Sequence, residues 1–286
     1  MASTINTNIP SMGAQRNLAN TQNSLAVSMA RLSSGLRVNS AKDDAAGLSI
    51  AERMTSQVRG MNVAMRNSND GISMAQTAEG ALGKTGDILQ RMRELAVQSA
   101  NSTNSTSDKT SLDTEFGELA KEVQRVFAST SFNGRKVLAG DAGAQVFQVG
   151  ASTTAENQIT ITTTAMTTNT NVTDVAGTDT AGAGRAVITG NSAAVLAVID
   201  KIDTAIDKVS TERSVLGASQ SRFESAISYL QISSENQSAA RSRIMDADFA
   251  QETANLSRSQ ILSQAGSAML AQANQLPQSV LSLLRG

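Results

Sequence analysis

Cysteine, histidine and tryptophan are missing from all 286 residues, proline occurs twice, and aromatics make up only 2%. Without Cys there are no disulfides, thiolate nucleophiles, thiolate zinc sites or iron–sulfur ligands. Without His the chain loses the commonest general base, the Ser–His triads and the metalloprotease helix that needs two imidazoles. With one Tyr and six Phe, the 40% of apolar residues must come mainly from Ala, Leu, Ile, Val and eleven Met. These side chains suit close helix packing better than a sandwich or barrel, which draws on aromatic and β-branched residues. The net charge of −1 gives no whole-chain footprint for nucleic acid. The expectation is a chain with no catalytic residues, no cofactor and no metal.

Charge is also scarce at both ends. The first 30 residues carry only Arg16 and no apolar run resembling a signal-peptide core. Residues 259–284 contain no charge, but Gln and Asn interrupt their apolar positions, which argues against a membrane span. With prolines only at Pro10 and Pro277, no obligate helix breaker lies between.

What is present is a repeat of apolar residues spaced three and four apart. It runs through Leu18, Leu25, Met29, Leu32 and Leu36, then Met54, Val58, Met61, Met65 and Ile72, then Leu112, Phe116, Leu119, Val123 and Val126. The longest example runs from Val195 through Ile202, Val209, Leu216 and Phe223 to Leu230, with Arg213 and Gln220 at two seam positions. Leu262, Met269, Leu276 and Leu283 recur every seven residues. Seams of this kind need partner helices, either each other or other subunits. The fold class is therefore mainly α: long antiparallel helices with a coiled-coil character.

Local chemistry places the boundaries. Ser40 to Asp43 fits a capping box, so a helix is expected from near Lys42 towards Ala100, about 85 Å long at about 1.5 Å per residue. A polar loop follows Asn101, and Asp108 or Ser111 opens the next helix. Phe132-Asn133-Gly134 signals a turn. Gln145 to Val149 and Gln158 to Thr162 alternate as half-buried strands do. Residues 151–180 hold twelve Thr, so the segment is expected to be a surface excursion, with residues 165–190 exposed.

Several runs then resemble one family. Leu32-Ser-Ser-Gly-Leu-Arg-Val-Asn-Ser-Ala-Lys-Asp-Asp-Ala-Ala-Gly47 closely resembles the N-terminal signature of bacterial flagellins, as do Gln90-Arg-Met-Arg-Glu-Leu-Ala-Val-Gln-Ser-Ala-Asn101 and the Phe132-Asn-Gly turn. Ala254 to Gly266 and Leu270 to Arg285 look like the C-terminal block of the same family. The likeness spans roughly residues 1–150 and 195–286.

The resemblance implies a D0 domain of terminal helices at 1–44 and 250–286 forming the inner tube of a filament. It implies a rod-shaped D1 at 45–150 and 195–249 with a β-hairpin, and a variable surface insertion at 151–194. The D0 assembly residues would be Leu18, Leu25, Leu32, Leu262, Met269, Leu276 and Leu283. The implied function is a homopolymeric subunit of the flagellar filament, secreted by the flagellar type III export apparatus with a flagellin export chaperone. Filament cap and hook-associated proteins would be its other partners. Arg91, Leu95 and Glu115 match positions by which vertebrate Toll-like receptor 5 recognises such flagellins; a plain inter-subunit role is the alternative. For the whole chain the rival readings are a hook–filament junction protein and a secreted coiled-coil adhesin or effector. No nucleic acid, membrane insertion or cofactor is implied.

Overall fold

The computed structural model describes residues 7–285, with side chains described as far as Gln275. The helices are α1 (Ile9–Ser34), α2 (Ala45–Ala100), α3 (Thr106–Ser129), α4 (Thr170–Ala176), α5 (Ser192–Met245) and α6 (Phe249–Arg285). The strands are β1 (Ser131–Phe132), β2 (Arg135–Lys136), β3 (Ala144–Gln148) and β4 (Gln158–Thr162). The chain divides into two compact units, Met1–Ser56 with Glu235–Gly286, and Gln57–Ser234.

In the first unit α1 and α6 lie antiparallel. Asn8 caps α1 by accepting from the Ser11 amide at 3.1 Å, and its own amide donates to the Ala273 carbonyl at 2.8 Å. The opposite end of the pair carries Arg31 and Glu252, 3.8 Å apart. Gly35 ends α1 in the left-handed region (φ 70°), where a side chain would strain the backbone. The chain beyond is tied to the end of α5: the Arg37 amide donates to the Met245 carbonyl at 2.6 Å, and the Ala247 amide to the Gly35 carbonyl at 2.9 Å. Val38 is buried there.

The start of α2 corrects one expectation. The helix opens at Ala45 rather than near Lys42, and its cap is Asp44, whose Oδ1 accepts from the Gly47 amide at 2.7 Å. Asp43 instead closes the preceding turn, accepting from the Asn39 and Ser40 amides and the Ser40 hydroxyl. These bonds, the Ser40 hydroxyl first, hold its carboxyl below the ordinary range. Two adjacent aspartates thus serve two different turns. The next helix also starts earlier than expected: Ser105 caps α3 in a reciprocal box with Asp108.

The second unit holds the main core. α2 contributes Leu82, Leu89, Met92 and Leu95, α3 contributes Phe116, Val123 and Phe127, and α5 contributes Ile202, Val209, Leu216 and Phe223. The α3 and α5 residues are three- and four-spaced positions of the sequence; on α2 the core falls further along than the Met54–Ile72 seam. Arg213 and Gln220, the two polar seam positions of α5, both reach Glu79 on α2, at 3.7 and 3.0 Å. Phe223 packs over Gly71, where an added Cβ would sit 2.8 Å from its ring, and meets Phe147 edge-on at 5.6 Å. Asn133 and Gly134 take the positive φ angles that a two-residue hairpin between β1 and β2 requires. β3 and β4 pair antiparallel with Val146 opposite Thr160, and β4 buries Ile159 and Ile161 on alternate positions.

The Thr-rich segment is not an exposed excursion. Met166, Val172, Val175, Ala176 and Ile188 are all fully buried in the main core. The expectation that residues 165–190 lie exposed is overturned. Short α4 delivers Val172 and Val175 to the core across α3, and Thr side chains take the outward positions. Polar ties fix the segment: Gln124 donates to the Gly177 carbonyl at 2.5 Å, and Thr164 to Glu212 at 2.7 Å. Arg185 forms a two-pronged contact with Asp113, at 3.0 and 2.6 Å, while the same carboxylate accepts from the Ile188 amide at 2.9 Å. Burial alone would raise Asp113, but these bonds and the guanidinium charge outweigh it and hold the carboxyl below its ordinary range.

Candidate functional site

Arg91, Arg93 and Glu94 put charge on the exposed surface of α2 around buried Met92. The Arg91 guanidinium donates to Glu115 of α3 from Nε (3.1 Å) and Nη2 (2.9 Å), and to Glu94 from Nη1 at 2.9 Å. Those hydrogen bonds, Glu115 first, raise the Arg91 pKa. One turn further along α2, Leu95 makes no such polar contact. Its side chain is 1% exposed, within the core. Arg91 and Glu115 are therefore brought together at the surface, whereas Leu95, one turn on, is buried beneath it. Its burial was legible: Leu89, Met92 and Leu95 recur with Leu82 on the face turned towards α3 and α5. A contact the sequence did not show is Arg93 with Asp203 of α5, at 2.6 and 3.3 Å. It borders a groove of about 740 Å³ that Val97 and Ile206 also line.

The terminal pair is built differently from its expected seam. On α1 the residues facing α6 are Ser11, Ala14, Leu18, Thr21, Leu25, Ser28 and Leu32, while Met29 is exposed. On α6 they are Glu252, Leu256, Ser259, Ser263, Gly266, Leu270 and Ala273. Gly266 lets α1 approach, since a Cβ there would lie 3.3 Å from Leu18. Ser11 donates to the Asn274 side chain at 2.7 Å. Leu18, Leu25 and Leu32 thus sit half-buried in the seam, but Leu262 and Met269 do not: they are 51% and 63% exposed, each one residue before a seam position. Leu276 and Leu283 lie outside the described side chains. On α6 the sequence signal for the seam was the seven-residue recurrence of Ser259, Gly266 and Ala273, small residues that hydrophobic periodicity passes over. A groove of about 570 Å³ runs beside it, lined by amides and hydroxyls with Arg31, Glu252, Arg258, Val27 and Leu262.

Among the described residues no cluster of three or more acidic groups could hold a metal ion, and no helix is long and apolar enough to cross a membrane.

A helical core and a pair of terminal helices, with only two small hairpins, make this a mainly α-helical protein. The bacterial flagellin N-terminal helical region matches residues 5–142, and the bacterial flagellin C-terminal helical region matches residues 199–284. A flagellin of Halalkalibacterium halodurans is 46% identical over 281 residues, covering 98% of this chain and 99% of that relative. Flagellin D of Vibrio anguillarum is 39% identical, covering 99% and 100%. A crystal structure of Bacillus cereus flagellin covers 58% of this chain and 88% of that one, at 29% identity and a TM-score of 0.48. The chain belongs to the bacterial flagellin family. It is a structural subunit of the flagellar filament, a homopolymer that serves motility, and not an enzyme. Neither the junction-protein nor the adhesin alternative is favoured by any of these likenesses.

Proposed function

We propose that polymerisation runs through the outward faces of α1 and α6, with residues 1–44 and 250–286 as the inner-tube D0 domain. Residues 45–150 and 195–249 then form D1, joined to residues 151–194, which complete its core instead of hanging from it. The observation that carries this reading is the pair of exposed apolar residues Leu262 and Met269, one heptad apart and unused by the intramolecular seam. An apolar stripe within the uncharged stretch 259–284 is stabilised when a neighbouring copy covers it. Before assembly the same stripe would be covered by an export chaperone, and the chain would leave the cell through the flagellar type III apparatus. Cap and hook-associated proteins would bound the filament outside the cell. Deleting residues 262–286 tests this: the second unit should keep its helical circular dichroism while filament seeds no longer elongate. Normal filaments from the truncated chain would overturn it.

The Arg91–Glu115 pair supports a second reading, contact with Toll-like receptor 5 by the free subunit. A guanidinium held by two carboxylates is a preorganised, planar recognition group. Arg91→Ala should lower receptor signalling by monomer without changing the fold. Leu95→Ala should lower it only through loss of core packing, seen as a lower unfolding midpoint. Equal potency of wild type and Arg91→Ala would remove the receptor role.

A further inference from the structure

The methionines divide sharply between the two units. Among the described residues, only Met12, Met29 and Met269 are largely exposed, at 54%, 52% and 63%, and all three lie on α1 or α6. Met61, Met74, Met92 and Met166 are buried within Gln57–Ser234, and Met54, Met65 and Met245 are half-buried. We propose that Met12, Met29 and Met269 are an oxidation-sensitive set, and that their conversion to sulfoxide bars the subunit from joining the filament.

The chemistry needs no protein catalyst. A thioether sulfur attacks one oxygen of hydrogen peroxide, the O–O bond breaks, and the new S=O group forms as water leaves. Sulfur loses two electrons and the peroxide gains them. A hypohalous acid reacts in the same sense, releasing halide and a proton. Rate follows access to the sulfur, so the three exposed positions are the ones that react. Sulfoxide replaces a pliable apolar side chain by a polar one. Met12 neighbours exposed Ile9 one turn away, and Met269 continues the stripe begun by Leu262. Around Met269 no charged residue occurs between positions 259 and 284, so a sulfoxide there puts a strong dipole where the stripe is apolar. The partner it would spoil is a second copy of this chain. The inference therefore rests on the reading that these faces meet neighbouring copies.

The test uses full-length monomer and preformed filaments exposed to the same limiting dose of hydrogen peroxide, with sulfoxide at each methionine read by peptide mass spectrometry. In monomer, Met12, Met29 and Met269 should oxidise about tenfold faster than Met74, Met92 and Met166. In filaments the same three should be slowed about tenfold by their covering neighbours. Oxidised monomer should elongate seeds at about a tenth of the untreated rate, and methionine sulfoxide reductases should restore it. A Met12→Leu, Met29→Leu, Met269→Leu chain should elongate equally before and after peroxide. Should that variant not assemble, reductase rescue of the oxidised natural chain decides the matter, and failure to rescue overturns the proposal. Uniform oxidation across all methionines also overturns it. Three positions as reactive in filaments as in monomer would instead overturn the reading that these faces are covered. Protection in filaments together with undiminished elongation by oxidised monomer would remove the oxidation switch alone.

Discussion

Along the contact between α1 and α6 the chain sets Ser11, Ser28, Ser259, Gly266 and Ala273 among half-buried leucines, whereas Gln57–Ser234 packs Phe116, Phe127, Phe223, Leu82 and Ile202 in full burial. Each large side chain of the second set stabilises by about 1.5–3 kcal/mol on full burial, while a serine or glycine contributes little apolar area. The terminal pair half-buries its leucines at Leu18, Leu25, Leu32 and Leu270 but leaves Ile9, Met12, Ile261, Leu262 and Met269 on the outside. One unit closes a core within one copy of the chain. The other keeps its apolar surface for something beyond that copy, as a subunit of a polymer must.

Removing the segment that closes the core should break this contrast most severely. Replacing residues 165–190 by a Gly/Ser linker deletes the buried side chains of Met166, Val172, Val175 and Ile188 together with Arg185. Truncations of such residues cost about 2–5 kcal/mol each for the larger ones, and a whole domain has only about 5–15 kcal/mol. The second unit should lose its cooperative unfolding transition by circular dichroism. A preserved transition would mean that α2, α3 and α5 are a sufficient core.

Single substitutions sharpen the comparison. Phe223→Ala removes a ring that fills the space over Gly71 and meets Phe147, and should destabilise the second unit by about 3–5 kcal/mol in chemical denaturation. Gly266→Val sets branched carbons against Leu18 and should cost the terminal pair about 1–3 kcal/mol by overpacking. Its signature is slowed seed elongation with an unchanged transition of the second unit. Were Gly266→Val instead to lower that transition, the two units would not be energetically separate.

How far the fold was legible follows the same division. The α5 seam, the Asn133-Gly134 hairpin and the β3–β4 alternation could be read because each is a local pattern with one structural solution. Met166, Val172, Val175 and Ile188 were missed because four apolar residues scattered over 23 positions have no period; only the tertiary fold makes them neighbours. Leu262 and Met269 were assigned to a seam by spacing alone, yet spacing cannot say which of two adjacent faces a helix turns inward. Arg91 with Glu115 was carried by the family resemblance, but the contact itself depends on how α2 and α3 pack, which no local pattern encodes.

The smallest expected effect concerns the tie between α3 and the core-closing segment. Asp113 has its pKa lowered because hydrogen bonds from Arg185 and the Ile188 amide, with the guanidinium charge, outweigh its burial. The sign follows from linkage: an acid whose folded value is depressed contributes its full stabilisation above the unfolded value of 3.8, and loses it as pH falls through the lower folded value. The second unit should therefore show constant stability from this pair near neutrality and a decline beginning below about pH 4. Asp113→Asn keeps the shape but removes the charge, leaving Arg185 half-buried beside a neutral amide. The cost near neutral pH should be about 1–3 kcal/mol, the range for a buried charged group deprived of its partner's charge. Denaturant titrations at neutral pH and near pH 3 give the comparison. The gap between natural and Asp113→Asn chains should narrow at the acid end, where the natural carboxyl takes up its proton. A gap that stays constant across that range would show that Asp113 acts through shape alone and that its charge does not hold the segment in place.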